Sequence, residues 1–252
     1  GRPQVGEVEA LALTHGVDLT SAAHATIVRA AGESEDALRV LSESAKRGPV
    51  GKELLVAVLE VAAAQRHAAL AEAAMEHIPK SPTLEVASAL LRAVAEGPMR
   101  GKERDTAVLS AYEKYFAGVD VLGDTRTGRA VAEAALRLDR PELLGQVLGA
   151  TDDSRRQVAL LKSFSNEQRT ADAMRVFQAC PEKTVNLYNT ILDTCVDCED
   201  TEAAERIIAE AVAAGMADVV TYNTIIKKHQ QRGHFQSARS VIEVMRSAGV
   251  AP

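Results

Sequence analysis

Cysteine, histidine and glycine clusters are the residues whose spacing first suggests chemistry. Cys195-Val196-Asp197-Cys198 has the two-residue gap of a thiolate pair, and Cys180 stands close enough in sequence to supply a third ligand. A closed zinc site takes four Cys or His ligands. No second CxxC and no His pair follows at that spacing, and the motif lies in a stretch of helical periodicity with no strand before it. The thiols are expected to be buried or half-buried packing groups. Gly97 to Lys102 echoes a phosphate loop, but its spacing is one residue short and Glu103 stands where a Ser or Thr would meet magnesium. It reads as a helix connector. His229 and His234 flank a turn, the other His are scattered, and no Ser/His/Asp set, carboxylate pair or deaminase signature is present. The expectation is a protein with no catalytic residues, no metal and no cofactor.

A different signal is an internal echo. Tyr188-Asn189-Thr190-Ile191-Leu192 returns 34 residues later as Tyr222-Asn223-Thr224-Ile225-Ile226. A second echo runs through Glu35 to Leu41, Ala171 to Phe177, Glu202 to Ile208 and Gln236 to Ile242. Each of these lines has a small Ala followed four residues later by Leu41, Phe177, Ile208 or Ile242. On a helix such a pair shares one face, so the Ala admits a neighbouring helix and the larger residue fills the space above it. Ala173 and Ala204 are 31 residues apart, and Ala204 and Ala238 are 34 apart, which is the period of helix-turn-helix arrays. Each line reads as the second helix of a pair.

The elements that must position these residues are therefore helices. The chain has 252 residues, 46% of them hydrophobic, with a net charge of −6. Ala is the commonest residue at 44, Trp is absent, and Tyr and Phe number four each, so apolar volume comes from small and aliphatic side chains that favour close helix packing. Gly and Pro breakers cut the chain into about fourteen amphipathic segments, and no alternating β-branched run is bounded by hairpin turns. Ser81-Pro82 predicts a capped helix start, and Asp200-Thr201-Glu202 predicts another. Three cysteines exclude a disulfide scaffold. The longest apolar stretch, Leu54 to Ala64, is broken by Glu60 and too short for a membrane span. The opening Gly-Arg-Pro-Gln carries no sign of a targeting segment. The result is an all-α chain of stacked helical pairs.

The Tyr-Asn-Thr openings, together with Gly215 and Gly249, Gly233, Ala238, Met245 and the closing Gly249-Val250-Ala251-Pro252, resemble the pentatricopeptide repeat family. The tetratricopeptide family fits less well, because its Trp-Leu-Gly signature is missing. The resemblance implies a right-handed α-solenoid of antiparallel helical pairs, with repeats at 185–218 and 219–252, a short degenerate repeat at 154–184, and a degenerate helical region at 1–153. These are expected to form one continuous solenoid. The last repeat stops one residue short of 35, which leaves room for a catalytic domain after residue 252 as a third reading.

Members of this family bind single-stranded RNA, one base per repeat. By resemblance, the Asn after the Tyr and the last residue of the repeat select the base, which here pairs Asn189 with Asp218 and leaves Asn223 with a residue beyond Pro252. An amide offers a donor and an acceptor to a base edge, and a carboxylate can orient the amide. The combination implies a pyrimidine preference, with Val220 as the aliphatic wedge against a base and Lys227 and Lys228 nearby. The chain departs from the pattern at Asn186, where a wedge would stand, at Asp197 and Gln231, where a backbone-contacting Lys is common, and at Val158, Arg129 and Ala22 upstream. Charge is uneven: +3 over 154–184, −7 over 185–218 and +4 over 219–252. The acidic mean field confines any RNA contact to the C-terminal end. The expected partner is single-stranded RNA, in processing, stabilisation or translation of a transcript. The alternative is a scaffold that binds proteins, such as a subunit of an organellar ribosome. The family implies a mitochondrion or plastid.

Overall fold

The computed structural model describes residues 5–16 and 18–251. The opening Gly1 to Gln4 and the closing Pro252 lie outside them. The described residues form α1 (Val5–Thr14), α2 (Ser21–Ala31), α3 (Ser34–Arg47), α4 (Lys52–Gln65), α5 (Ala68–Met75), α6 (Leu84–Glu96), α7 (Gly101–Ala111) and α8 (Thr125–Arg137). They continue with α9 (Pro141–Gly149), α10 (Ser154–Ser165), α11 (Thr170–Ala179), α12 (Val185–Asp197), α13 (Thr201–Ala213), α14 (Val219–Gln231) and α15 (Phe235–Ser247). No strand occurs among them, so the all-α expectation holds. Among the described residues no helix is long and apolar enough to cross a membrane.

Two compact units divide at Arg140 and Pro141. In the first, α2, α4 and α6 stack side by side, with α3 and α5 forming the second layer. In the second, α10, α12 and α14 make the same kind of stack, α11 packs on α10 and α12, and α15 packs on α14. α13 packs on α12 but makes no substantial contact with α14 or α15.

The repeated Ala lines explain the second layer. Ala37 and Leu41 on α3, and Ala173 and Phe177 on α11, are fully buried, each large side chain worth about 1.5–3 kcal/mol of burial. Ala204 on α13 and Ala238 on α15 are buried too, yet their partners Ile208 and Ile242 are only half-buried. That difference follows from the gap between α13 and α15.

Turns inside the pairs share a left-handed residue. Gly32 and Gly233 take it, but so do Arg66, Asp139, Gln168 and Glu199, with φ of 53° to 57°. The break at Arg66 ends α4 without any Gly or Pro signal: the Arg66 N–H bonds Ala63 O and the His67 N–H bonds Ala62 O. Asp200 caps α13 as expected, accepting from Ala203 N at 3.0 Å. The start predicted at Ser81-Pro82 is corrected to Leu84. Thr83 holds the extended cap position, so Pro82 lies before the helix rather than in its first turn.

Close approach of α2 and α4 requires Gly51, since a Cβ there would collide with Ser21 Oγ and Cβ. Gly97 to Lys102 is the connector expected between α6 and α7, tied by Arg100 Nη1 to Gly97 O at 2.6 Å. Tyr112 to Phe116 form a π-turn in which Tyr112 and Phe116 are core residues and Tyr115 is half-buried.

Candidate nucleic-acid interface

The candidate interface lies where α12 meets α14. Tyr188 is buried on α12, its ring edge-on to Phe177 at 5.1 Å and its hydroxyl donating to Glu210 Oε1 at 3.1 Å. One residue further the helix turns by about 100°, which carries Asn189 out of the core to the seam with α14. There its Nδ2 donates to Asp218 Oδ1 at 3.1 Å, and its Oδ1 accepts from Thr221 Oγ1 at 2.6 Å.

Asp218 is at the same time the cap of α14. Its Oδ1 accepts from Thr221 N at 2.9 Å, and its own N–H donates to Thr221 Oγ1 at 3.1 Å, closing a capping box. Burial alone would raise the Asp218 carboxyl, but the N–H groups of Thr221 and Val220, the Asn189 amide and the Thr221 hydroxyl together hold it below its ordinary value. Asn189 is left with one N–H and one lone pair to offer, in an orientation fixed by two partners.

Val220, Asn223 and Lys227 follow on α14 at helical spacing and are all exposed, Val220 at 52%. Lys228 is the exception among the sequence-predicted site residues. It lies one step of about 100° beyond Lys227 and is 8% exposed, turned into the layer between the helices rather than toward the face that carries Asn223. Its assignment to the same surface as Lys227 is corrected on that ground.

Lys162 on α10, Asp193 on α12 and Lys227 on α14 occupy one register, 31 and 34 residues apart, and sequence reasoning missed this row. Thr224 Oγ1 lies 3.3 Å from Asp193 Oδ1. Burial and the neighbouring Asp197 raise the Asp193 carboxyl above its ordinary value against the opposing pull of Thr224, Lys162 and Lys227. Thr221 was also missed as a site residue. The signal available for it was its place three residues after an Asp that precedes a helix.

Upstream, Gln157 fills the buried Tyr position and donates to Leu148 O at 2.8 Å, while Val158 is half-buried at the Asn position. Arg129 is engaged with Glu133 at 3.0 Å. Cys180 and Cys195 are buried and Cys198 is half-buried, as expected. Burial pushes the Cys180 thiol up to about 12 and the Cys195 thiol to about 11, so both stay protonated. Among the described residues no group of His, Cys, Asp and Glu could hold a metal ion.

Fold and seam define a protein of stacked helical pairs, with a side-chain clasp between the first helices α12 and α14. Residues 220–250 match the family model for the PPR repeat, so the chain carries a pentatricopeptide repeat there. No curated protein matches it. Among solved structures it is similar to the pentatricopeptide repeat protein PPR10 in complex with an 18-nt psaJ RNA element, at 21% identity and a TM-score of 0.39 over 98% of this chain. PPR10 from maize is matched at 20% identity and a TM-score of 0.38. The chain spans 38% and 42% of the length of those two chains. The resemblance to the family rests on the repeat at 220–250 and not on these overall likenesses.

Proposed function

We propose that the chain binds single-stranded RNA along α12 and α14, favours pyrimidines there, and acts by binding rather than catalysis in the processing, stabilisation or translation of a transcript in a mitochondrion or plastid. The observation that carries this reading is the Asn189–Asp218–Thr221 clasp. A core-filling role would not need a half-buried amide held from both ends with one N–H and one lone pair unused. A base edge presents a donor beside an acceptor, which is the complement of that amide. Val220 supplies an apolar surface for the flat face of a base, and Asn223 repeats the amide one helix on. Lys162 and Lys227 supply charge for phosphate on either side of Asp193, whose carboxylate limits it.

The test is fluorescence anisotropy of the chain with short U-rich and A-rich RNAs at about 50 and about 200 mM salt. Tighter binding of U-rich RNA, lost in Asn189→Ala with Asn223→Ala while helicity is kept, supports the reading. Absence of binding at both salts overturns it in favour of a protein-binding scaffold, the role that the degenerate N-terminal helical pairs would serve.

A further inference from the structure

The repeat register places Ser163, Thr194 and Lys228 at one point of α10, α12 and α14. The first two are satisfied inside the stack. Ser163 Oγ donates to Leu160 O at 2.6 Å, Thr194 Oγ1 donates to Thr190 O at 2.8 Å, and the Ser165 hydroxyl lies 2.5 Å from Thr194 Oγ1. Lys228 breaks the series. It is 8% exposed, and its Nζ is buried with no hydrogen-bond partner. A long cation at a position that holds small hydroxyls elsewhere is not explained by the packing of the stack.

What Lys228 faces is a groove of about 570 Å³, opened by the failure of α13 to close on α14 and α15. Leu192, Tyr222 and Ile225 line it from the first helices, and Ile208, Val212 and Val244 from the second. Its volume lies within the range of small-molecule sites, which are apolar clefts with a few placed polar groups.

We propose that this groove binds a linear aliphatic carboxylate, with the head group on Lys228 Nζ and the chain lying between α13 and α15. Apolar walls with one buried, unpaired ammonium at the floor are the complement of an amphipathic anion. A polyphosphate would meet a single cation and little else, and an aliphatic cation would be repelled. The wall from Ala204 to Ala213 runs about 13 Å along α13, the extended length of roughly ten to twelve carbons. Other charges face this region. Glu205 lines the groove but is solvent-exposed, His229 lines it half-buried, Asp200 is engaged as the α13 cap, and Glu199 and Arg232 act on Lys228 from a distance. The site does not depend on RNA binding, so failure of one leaves the other standing.

Isothermal titration calorimetry of the whole chain with dodecanoate, dodecanol and dodecyltrimethylammonium, each below its micelle concentration, tests the assignment. Saturable binding of dodecanoate at least about tenfold tighter than dodecanol is expected, with that preference lost in Lys228→Met. Ala209→Phe, which fills the groove without touching Lys228, should abolish binding of dodecanoate and dodecanol alike. Circular dichroism melts check that both variants fold. No saturable dodecanoate binding, equal affinity for dodecanol, or undiminished binding by folded Lys228→Met would overturn the proposal. So would a concentration-dependent dimer, seen by sedimentation, that Ala209→Phe abolishes, since that gives the groove to a second copy.

Discussion

Asn189 Nδ2 and Asp218 Oδ1 lie 3.1 Å apart although 29 residues separate them in the chain. The amide proposed to read a base is therefore aimed by the cap of the following helix, so the geometry of one repeat is completed only when the next one folds.

Thr221 holds the clasp from the other side. Thr221→Val removes the donor to Asn189 Oδ1 and the acceptor for Asp218 N. Loss of about 1–2 kcal/mol of stability is expected from the broken capping box, together with weaker discrimination of U-rich from A-rich RNA. Urea denaturation and anisotropy report the two effects separately. Unchanged discrimination in a folded variant would remove Thr221 from the reading mechanism.

Acid should undo the same clasp. The Asp218 carboxyl is held low in the folded chain, so its contribution is fully present above its unfolded value of about 3.9 and is lost as pH falls through the lower folded value. Asp218→Asn keeps the cap but cannot titrate. Its denaturation midpoint should fall less steeply than that of the parent below about pH 4, measured by urea titration from pH 6 to pH 2.

Lys228 has the opposite sign. Burial and the nearby Arg232 lower its ammonium from the ordinary lysine value, against the pull of Cys195, Glu199 and Asp200. The unfolded chain holds that proton more tightly, so stability rises as pH climbs through the lowered folded value and levels off above the unfolded one. Lys228→Met should be more stable at pH 7 by about 1 kcal/mol or more, with a flatter pH profile below the ordinary lysine value of about 10.4. A melting point that falls in this variant would show that the ammonium is stabilised by groups around it.

Gly51 offers a test of the first unit. Gly51→Ala drives a methyl into Ser21 and should destabilise by about 1–3 kcal/mol. Ser21→Ala leaves the colliding Cβ in place and should not rescue it, whereas Ser21→Gly should. Thermal melts of the parent, the three single variants and the two double variants give the answer as two double-mutant cycles.

The helical pairs were legible because they are written as periods of 31 and 34 residues and as repeated residue types, whereas the Asn189–Asp218 pairing came from the resemblance to the pentatricopeptide repeat family. Lys228 was not, because a Lys-Lys pair reads as exposed charge and only the 100° step between neighbours decides which one turns inward. The break at Arg66 was hidden for a related reason. Its left-handed backbone is carried by a residue that does not advertise it, while Gly32 and Gly233 mark the same turn openly. Asp193 escaped notice because its meaning lies in standing between Lys162 and Lys227 on other helices, which sequence adjacency does not show.

The gap between α13 and the last hairpin also bears on how the array holds together. In a linear array each unit is stabilised by its own folding and by its interface with the neighbour. Here that interface is reduced mainly to the α12–α14 seam, so α14 and α15 are expected to open more readily than the helices before them. Amide protons there should exchange through a low-energy opening that leaves α10 to α12 protected. Anything that spans the seam would then act as a strut, making α14 and α15 unfold only with the rest.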